Sequence, residues 1–349
     1  GAALLQRPFW VRGPVGARMR YVAVVPAHNE EGAVGDTVRS LLADGEGRVT
    51  VVVLADGCRD GTVVEAREAG AEAWDLDYSS GGKQLLLRFW LPFVERRYRG
   101  EVDAFCVVDC GDVVESGFFS GLDAALASRP VCQSYLGWRP VRNLLAAGYA
   151  AGYWVSNWLV QGGRAVLGLP ALLGGSGVAW LVGYTEAMRP PEYSVTDDLA
   201  LTYQLWSDGV GIGYARDAVV EVGHPKSLGV AWRQRLRWSR GYYQIFSRRW
   251  REILRCRLWG VDFLLSGLMR WWPVVWVFLG WPGAIGAVIM SAIVMLGSLW
   301  TYGYRGQRVW TVVLLPFFWA LQAVVEVVAA VTWRDMQWHR TPHSEVPGA

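Results

Sequence analysis

Residues 21–32 read YVAVVPAHNEEG, an apolar run of strand type that ends in a group of polar side chains. The segment that follows spaces Val34, Val38 and Leu41 as the apolar face of a helix. Because the strand is a continuous apolar run rather than an alternating one, it predicts burial on both faces of a sheet. The chain therefore opens with a buried strand and a helix that covers it.

This strand-and-helix unit repeats along the first third of the chain. Further strands are predicted at residues 50–55, 72–75 and 104–108, with helices at residues 62–69, 83–97 and 116–127. Strands that alternate with helices indicate an α/β fold with a mostly parallel sheet covered on both faces.

Polar clusters follow three of these strands, at residues 28–31, 56–61 and 109–112. Seen singly, each cluster is also typical of a turn that caps a helix. Ligands of parallel sheets bind beyond the carboxyl ends of the strands, so three clusters at one edge favour a nucleotide site. The sequence has no GxGxxG after the first strand and no GxxxxGK[ST], which disfavours dinucleotide binding and P-loop hydrolysis.

Two later segments are also candidates for a site. Residues 174–177 (GGSG) lack large side chains and would let a substrate approach the backbone. Thr196, Asp197 and Asp198 begin a helix, and either of the first two residues suits its cap. A second carboxylate is not needed for capping, so Asp198 is the stronger functional candidate.

The composition of the 349 residues, 52% apolar and 19% charged, is dominated by the C-terminal third. Residues 271–304 contain no charged side chain, and residues 309–333 contain only Glu326. Each run is long enough to cross a hydrocarbon core, which needs roughly 20 residues. These runs predict membrane spans at residues 282–304 and 309–333, with a third span at residues 258–280 as the alternative. Glu326 would line a polar path or pair at a helix contact.

The stretch LGVAWRQRLRWSRGYYQIFSRRW, residues 228–250, is rich in arginine and aromatic side chains. It is typical either of a basic helix at the foot of a membrane segment or of a site that binds phosphate and sugar. Residues 141–167 favour a helix in the membrane interface, with a core helix as the alternative. The odd count of five cysteines argues against a disulfide scaffold and fits a reducing cytosol.

The order of these motifs resembles the family 2 glycosyltransferases with a GT-A fold. Similarity is greatest to the membrane-integrated branch that includes cellulose, chitin, hyaluronan and poly-N-acetylglucosamine synthases, and extends to ceramide glucosyltransferases. The matching pieces are residues 26–31 (PAHNEE), 55–62 (ADGCRDGT), 82–83 (GK), 109–111 (DCG), 174–177 (GGSG), 196–198 (TDD) and 234–238 (QRLRW). The QxxRW element about forty residues after TDD is the most specific of them.

The resemblance implies a role for each matching residue. Asp198 would be the catalytic base that deprotonates the acceptor hydroxyl, and Asp109 would lie at a divalent metal, Mg²⁺ or Mn²⁺. The implied nucleotide-binding residues are Pro26, His28, Asn29, Glu30, Asp56 and Lys83. The residues implied at the diphosphate and the acceptor are Gln234, Arg237, Trp238, Gly175, Ser176, Gly177 and Asp197.

One position departs from the family pattern. Gly111 stands where the family's DxD has its second carboxylate. Three alternatives follow: Asp112 reaches the metal from a differently turned loop, Asp109 binds it together with diphosphate and water, or activity has been lost.

The resemblance also implies an organisation and a reaction. Residues 1–20 would form a juxtamembrane arm, 21–228 the GT-A catalytic domain, 229–270 the QxxRW segment with interface helices, 271–333 the transmembrane helices, and 334–349 a cytosolic tail. The protein would lie in the inner cell membrane, multi-pass, with its active site facing the cytosol. Its expected partners are a nucleotide-sugar donor, by the family's default a UDP-sugar, a lipid or glycan acceptor, membrane lipids and a further membrane subunit or oligomer. No nucleic acid is expected.

The expected reaction is inverting transfer of a hexosyl or N-acetylhexosaminyl group to a lipid, a lipid-linked acceptor or a growing glycan. A processive polysaccharide synthase coupled to translocation is the alternative reaction. A membrane protein that binds nucleotide sugars without turnover is the alternative class.

Overall fold

The structure, a computed structural model, describes residues 18–138, 149, 152–191, 194–223, 225, 227–255 and 315–335, together with scattered positions between 262 and 289. Three predicted segments lie mostly outside the described residues. They are residues 1–17 of the predicted arm (1–20), most of the predicted span at 282–304, and residues 336–349 of the predicted tail (334–349).

A mixed sheet of eight strands organises the described part of the chain. The strands are β1 (Tyr21–Ala27), β2 (Val49–Asp56), β3 (Glu72–Leu76), β4 (Ala104–Val107), β5 (Val113–Val114), β6 (Val131–Trp138), β7 (Val178–Leu181) and β8 (Ile212–Val222). Their order across the sheet is β3-β2-β1-β4-β7-β6-β8-β5. Strands β1 to β4 run parallel, whereas β7 pairs antiparallel with both β4 and β6.

Helices cover both faces of this sheet. They are α1 (Val34–Gly45), α2 (Thr62–Glu68), α3 (Lys83–Tyr98), α4 (Phe118–Leu126), a π-helix (Val155–Gln161) continued by α5 (Gly162–Val166), α6 (Asp197–Ser207), α7 (Leu228–Arg255) and α8 (Leu315–Thr332). Two apolar clusters form the core. One contains α1, α4 and the Val25 side of β1, and the other contains α3, α6 and the Val24 side.

The predicted α/β fold is confirmed. Every residue of β1 is buried, as its continuous apolar run requires, and the helices at α1 to α4 lie within a few residues of their predicted bounds. The long strand β8 carries no such apolar run. Its centre contains the exposed Arg216 and Asp217, and its pairing with β6 is irregular between Ser134 and Tyr135.

The prediction of a multi-pass membrane protein is corrected by the structure. Within the described residues, no helix combines the length and the apolar character that crossing a membrane requires. Helix α8, which lies in the predicted span at residues 309–333, instead packs against α7 through polar side chains. Glu326 on α8 is fully buried and accepts hydrogen bonds from Ser239 Oγ at 2.7 Å and Tyr243 Oη at 3.1 Å. It pairs with Arg270 at 3.3 Å, so of the two roles weighed for Glu326, the structure supports pairing at a helix contact.

The described part of the predicted interface helix, residues 152–166, packs against the sheet. Asn157 in its π-helical segment is buried and accepts a hydrogen bond of 3.3 Å from the amide of Leu136 on β6. The Tyr214 hydroxyl on β8 donates to the Asn157 carbonyl at 2.7 Å. These contacts favour the alternative of a helix that belongs to the core of the domain.

Candidate active site

A cavity of about 580 Å³ opens at the carboxyl ends of β1, β2 and β4, where the sequence predicts a ligand. Most of the predicted site residues line it: Pro26, His28, Glu30, Asp56, Lys83, Asp109, Asp112, Gly175, Ser176, Asp197, Asp198, Gln234, Arg237 and Trp238. The structure thus gathers residues that lie up to 212 positions apart in sequence around one space. Asn29 and Gly177 are not part of the cavity wall. Asn29 faces the neighbouring loop, where its Oδ1 accepts a hydrogen bond of 2.8 Å from the amide of Arg59.

Asp56 at the end of β2 organises the loop that precedes α3. It is 2% exposed, and its carboxylate accepts hydrogen bonds from the amide of Ser80 at 2.6 Å and from Ser79 Oγ at 3.2 Å. The imidazole Nδ1 of His28 contacts the backbone oxygen of Asp56. Asp56 therefore fixes the loop at residues 79–82, which forms one wall of the cavity.

Lys83 begins α3 and brings a cation to the centre of the cavity. Its Nζ pairs with the carboxylate of Asp109 and donates a hydrogen bond of 2.7 Å to the carbonyl of Gly175. Burial alone would lower the pKa of Lys83, but the charges of Asp109, Asp197 and Asp198 outweigh it and raise the pKa. The ammonium group therefore remains charged among three carboxylates.

The loop after β4 brings two carboxylates to the same wall. Gly111 adopts φ 88°, a left-handed conformation that glycine tolerates best, and the amide of Asp112 donates a hydrogen bond of 3.1 Å to the carbonyl of Asp109. This turn carries Asp112 back to the cavity. Asp112 is 4% exposed, and its pKa is raised to about 7, first by burial and then by the charge of Asp109.

A second carboxylate pair begins α6. Asp198 Oδ1 accepts a hydrogen bond of 2.8 Å from the amide of Leu199. Burial raises the pKa of Asp198 to about 6, and the neighbouring charge of Asp197 adds to the rise, while Arg237 and Lys83 oppose it. A carboxyl group with this pKa is ionised at neutral pH and has more proton affinity than an ordinary aspartate, which suits a general base.

Gly175 separates this base candidate from the cation at Lys83. A Cβ placed on Gly175 would lie 3.6 Å from Asp198 Oδ2 and 3.7 Å from Lys83 Nζ. A side chain here would therefore contact both charged groups, and glycine leaves them open to the cavity.

Helix α7 supplies the remaining wall. Gln234, Arg237 and Trp238 recur at helical spacing and face the cavity together. Arg237 Nη1 donates a hydrogen bond of 3.1 Å to the carbonyl of Val195. Across the residues that the structure describes, Gln234 Oε1 and Arg237 Nε are buried and have no hydrogen-bond partner. Both residues line the cavity, so their side chains are the polar groups that α7 offers to a ligand.

Several cavity residues were missed by the sequence interpretation. They are Ser79, Gln84, Leu136, Tyr153, Ser194, Val195 and Val222. Ser79 and Gln84 lie close to Lys83 in sequence, so the position of Lys83 was the signal that could have found them. Tyr153 and Ser194 carry no local signal, because only the tertiary fold brings them to the site.

The described residues contain no cluster of three or more His, Cys, Asp or Glu side chains arranged to hold a metal ion. Asp109 and Asp112 are two neighbouring carboxylates, and the charge of one raises the pKa of the other. This mutual repulsion is what a divalent cation relieves, so the pair fits such an ion as part of its ligand set. The four cysteines within the described region are free.

The mixed α/β sheet, with acidic and basic groups around one cavity at its carboxyl edge, has a GT-A-like fold. The sequence profile described as "Glycosyl transferase family group 2" matches residues 105–331, and the chain belongs to this family. No curated protein matches the chain in sequence.

Solved structures share this fold at low sequence identity. One is the mannosyltransferase PcManGT from Pyrobaculum calidifontis in complex with GDP-Man and Mn²⁺, with 17% identity, a TM-score of 0.52 and coverage of 93% of this chain and 92% of that chain. A second is glucosyl-3-phosphoglycerate synthase from Mycobacterium tuberculosis with Mn²⁺, UDP and phosphoglyceric acid, with 18% identity, a TM-score of 0.44 and coverage of 70% and 84%. A third is S. aureus TarS with UDP-GlcNAc, with 15% identity, a TM-score of 0.42 and coverage of 65% and 67%.

Proposed function

We propose that the protein is an inverting glycosyltransferase that transfers a sugar from a nucleoside-diphosphate sugar to a hydroxyl group of a glycan or lipid-linked glycan acceptor. Membership of glycosyl transferase family group 2 supports the reaction class. The observation that carries the proposal is that one cavity of about 580 Å³ brings the carboxylate of Asp198 together with the cations of Lys83 and Arg237. A candidate base and two cations thus line the space that one substrate would occupy.

The proposed base is Asp198. Its carboxylate accepts the proton of the acceptor hydroxyl while the oxygen attacks the anomeric carbon, and the bond from that carbon to the diphosphate oxygen breaks. Attack from the face opposite to the leaving group inverts the anomeric configuration. Trp238 on the same cavity provides a flat apolar face on which an acceptor sugar ring packs.

The leaving diphosphate gathers negative charge, which cationic donors stabilise. Lys83 and Arg237 line the cavity and are proposed to bind the diphosphate oxygens. Arg237 offers its guanidinium group from the cavity wall and is held there by its hydrogen bond to the Val195 carbonyl. Gln234 is proposed to bind a sugar hydroxyl from the same wall.

Asp109 and Asp112 are proposed to hold a divalent cation, Mg²⁺ or Mn²⁺. When bound, such an ion supplies further charge stabilisation at the diphosphate. Magnesium sites commonly combine one or two protein carboxylates with substrate phosphates and several waters. Two carboxylates from the protein are therefore sufficient for such a site. Two of the solved structures named above contain Mn²⁺, which supports this cofactor.

The nucleotide is proposed to lie on the wall formed by Pro26, His28, Glu30 and the loop that Asp56 fixes. UDP is the first donor to test, because two of the similar structures contain UDP or UDP-GlcNAc, and GDP is the second because PcManGT contains GDP-Man.

A donor screen tests the proposal. Purified protein is incubated with Mn²⁺, glycan acceptors and a panel of UDP- and GDP-sugars, and free nucleoside diphosphate is measured. Acceptor-dependent release with one donor class is expected, and chromatography of the products would show one added sugar or a polymer ladder. Binding of a nucleotide sugar without any release across the panel would contradict the proposal and favour a binding protein.

A further inference from the structure

Helix α7 continues beyond the cavity, and its next turns contact the loop that carries the proposed base. This loop, Ser194–Thr196, directly precedes Asp197 and Asp198 at the start of α6. Gln244 lies two turns after Arg237 on α7 and is 2% exposed. Its Oε1 accepts a hydrogen bond of 2.9 Å from the amide of Val195. Gln244 is not part of the cavity wall, so its role is separate from substrate binding.

The other end of the Gln244 amide reaches the turn that follows α8. Its Nε2 donates to the carbonyl of Trp333 at 2.8 Å and to the carbonyl of Asp335 at 3.1 Å. If the Gln244 amide were reversed, its NH₂ group would face the Val195 N–H and its oxygen would face the Trp333 and Asp335 carbonyls. Neither contact would be a hydrogen bond, so these partners determine the orientation of the amide. One buried side chain thus joins the loop to the turn.

The peptide groups of Val195 are held at both ends by α7. Gln244 accepts from its N–H, and Arg237 Nη1 donates to its carbonyl at 3.1 Å. Gly241 lies between these two contacts, and its carbonyl accepts a hydrogen bond of 3.3 Å from Ser194 Oγ. The loop therefore takes its position from α7.

We propose that Gln244 is a positioning residue, which places Asp198 by holding the Ser194–Thr196 loop to the Trp333–Asp335 turn. The inference rests on the proposed function, because it takes Asp198 as the base. Small displacements of a reacting group lower the rate steeply, and an error near 1 Å costs on the order of a hundred-fold. Gln244 touches no reacting atom, so its loss should change the rate of transfer and leave nucleotide binding intact.

Two substitutions separate the two halves of the contact. Gln244→Leu removes both the acceptor for Val195 and the donor for the turn. Gln244→Glu keeps an oxygen that accepts from Val195 and replaces the donor with a group that the Trp333 and Asp335 carbonyls repel. Arg240→Ala is the matched control. Arg240 also binds this part of the chain, through Thr332 Oγ1 at 3.0 Å and the Asp335 carboxylate at 2.7 Å, and it makes no hydrogen bond to the loop.

Each variant is assayed for kcat, for the dissociation constant of nucleoside diphosphate and for hydrogen exchange at the amide of Val195. Gln244→Leu should lose Val195 protection and show kcat lower by about ten- to a hundred-fold, with the dissociation constant unchanged. Gln244→Glu should retain Val195 protection and still show lower kcat, because the loop has lost its link to the turn. Arg240→Ala should keep both protection and kcat.

Unchanged kcat and Val195 protection in Gln244→Leu would overturn the proposal, as would an equal fall of kcat in Arg240→Ala. Wild-type kcat in Gln244→Glu would overturn the part assigned to the Trp333–Asp335 turn. If the wild-type protein transferred no sugar, the proposed function would fail by itself. Hydrogen exchange would then still decide whether Gln244 holds the loop.

Discussion

Arg237 Nη1 donates a hydrogen bond of 3.1 Å to the backbone carbonyl of Val195, three residues before Asp198. Arg237, the second arginine of the QRLRW stretch, thus holds the loop of the proposed base. Its guanidinium group connects the two halves of the proposed reaction, because it contacts the base loop and lines the cavity proposed to receive the diphosphate.

Arg237→Lys keeps the positive charge and removes the planar donor fork. A single ammonium group on a flexible stem cannot hold the Val195 carbonyl and a diphosphate oxygen in the same geometry. We expect kcat/KM for transfer to fall about ten- to a hundred-fold, the range for loss of a hydrogen bond to a charged group. Steady-state kinetics with the preferred donor measure the effect. Activity equal to the wild type would show that charge alone suffices at this position.

The transfer rate should depend on the ionisation of Asp198. A base must be deprotonated, so kcat/KM should be low in acid, rise as the pH passes through about 6, and level off above it. Asp197→Asn removes a neighbouring negative charge that raises the pKa of Asp198, so the rise should move to lower pH. Profiles of kcat/KM against pH for the two proteins test this. A shift towards higher pH in Asp197→Asn would contradict the assignment.

Asp112→Asn should weaken the binding of the divalent metal. Gly111 cannot supply the second carboxylate of DxD, and Asp112 is proposed to replace it. The variant should then need at least about ten times more Mn²⁺ for half-maximal transfer. Loss of a group that only supports a metal ligand already lowers metal affinity by about ten-fold, and loss of a ligand should lower it at least as much. Asp217→Asn, an exposed carboxylate on β8, serves as the control and should titrate like the wild type. An unchanged Mn²⁺ titration in Asp112→Asn would show that Asp112 is not a metal ligand and would favour the alternative in which Asp109 binds the ion together with diphosphate and water.

Gly241→Ala should displace the loop of the proposed base. The added Cβ would lie 2.0 Å from Thr196 Oγ1, and Thr196 is 4% exposed, so one of the two segments must move. We expect lower kcat and a loss of about 1–3 kcal/mol in the free energy of unfolding, as for other overpacked sites. Gly229→Ala on the same helix is the control, because its nearest neighbour would be 3.8 Å away. Equal kcat and stability in both variants would show that the loop tolerates the displacement.

The sequence predicts the first half of the sheet well and the second half poorly, for a physical reason. Strands β1, β2 and β4 are buried on both faces, so their side chains form continuous apolar runs. Strand β8 has exposed charges at Arg216 and Asp217, and the direction of β7 depends on its neighbours rather than on its own residues. The membrane prediction rested on hydropathy alone, and it was wrong: within the described residues no helix is long and apolar enough to cross a membrane. Glu326 and its partners instead form a buried polar contact between α7 and α8.

Some residues of the candidate site could be predicted from the sequence, and others could not. Residues that belong to local motifs, such as Asp56, Asp109 and Asp198, could be found because each follows a strand or begins a helix. Their roles remain proposals. Tyr153 and Gln244 reach the site or its supporting loop through contacts between distant segments, and no local pattern of residues specifies such contacts.

Asp198→Asn offers the most direct test of the central claim, that this carboxylate is the base of a glycosyl transfer. Asparagine keeps the size of the side chain and its contact with the Leu199 amide, and it cannot accept the proton. The measurement is acceptor-dependent release of nucleoside diphosphate, with donor binding measured in parallel. We predict that the variant binds the donor as the wild type does and transfers sugar about 10²–10⁴ times more slowly, the usual contribution of a general base. Transfer at the wild-type rate with unchanged donor binding would contradict the account.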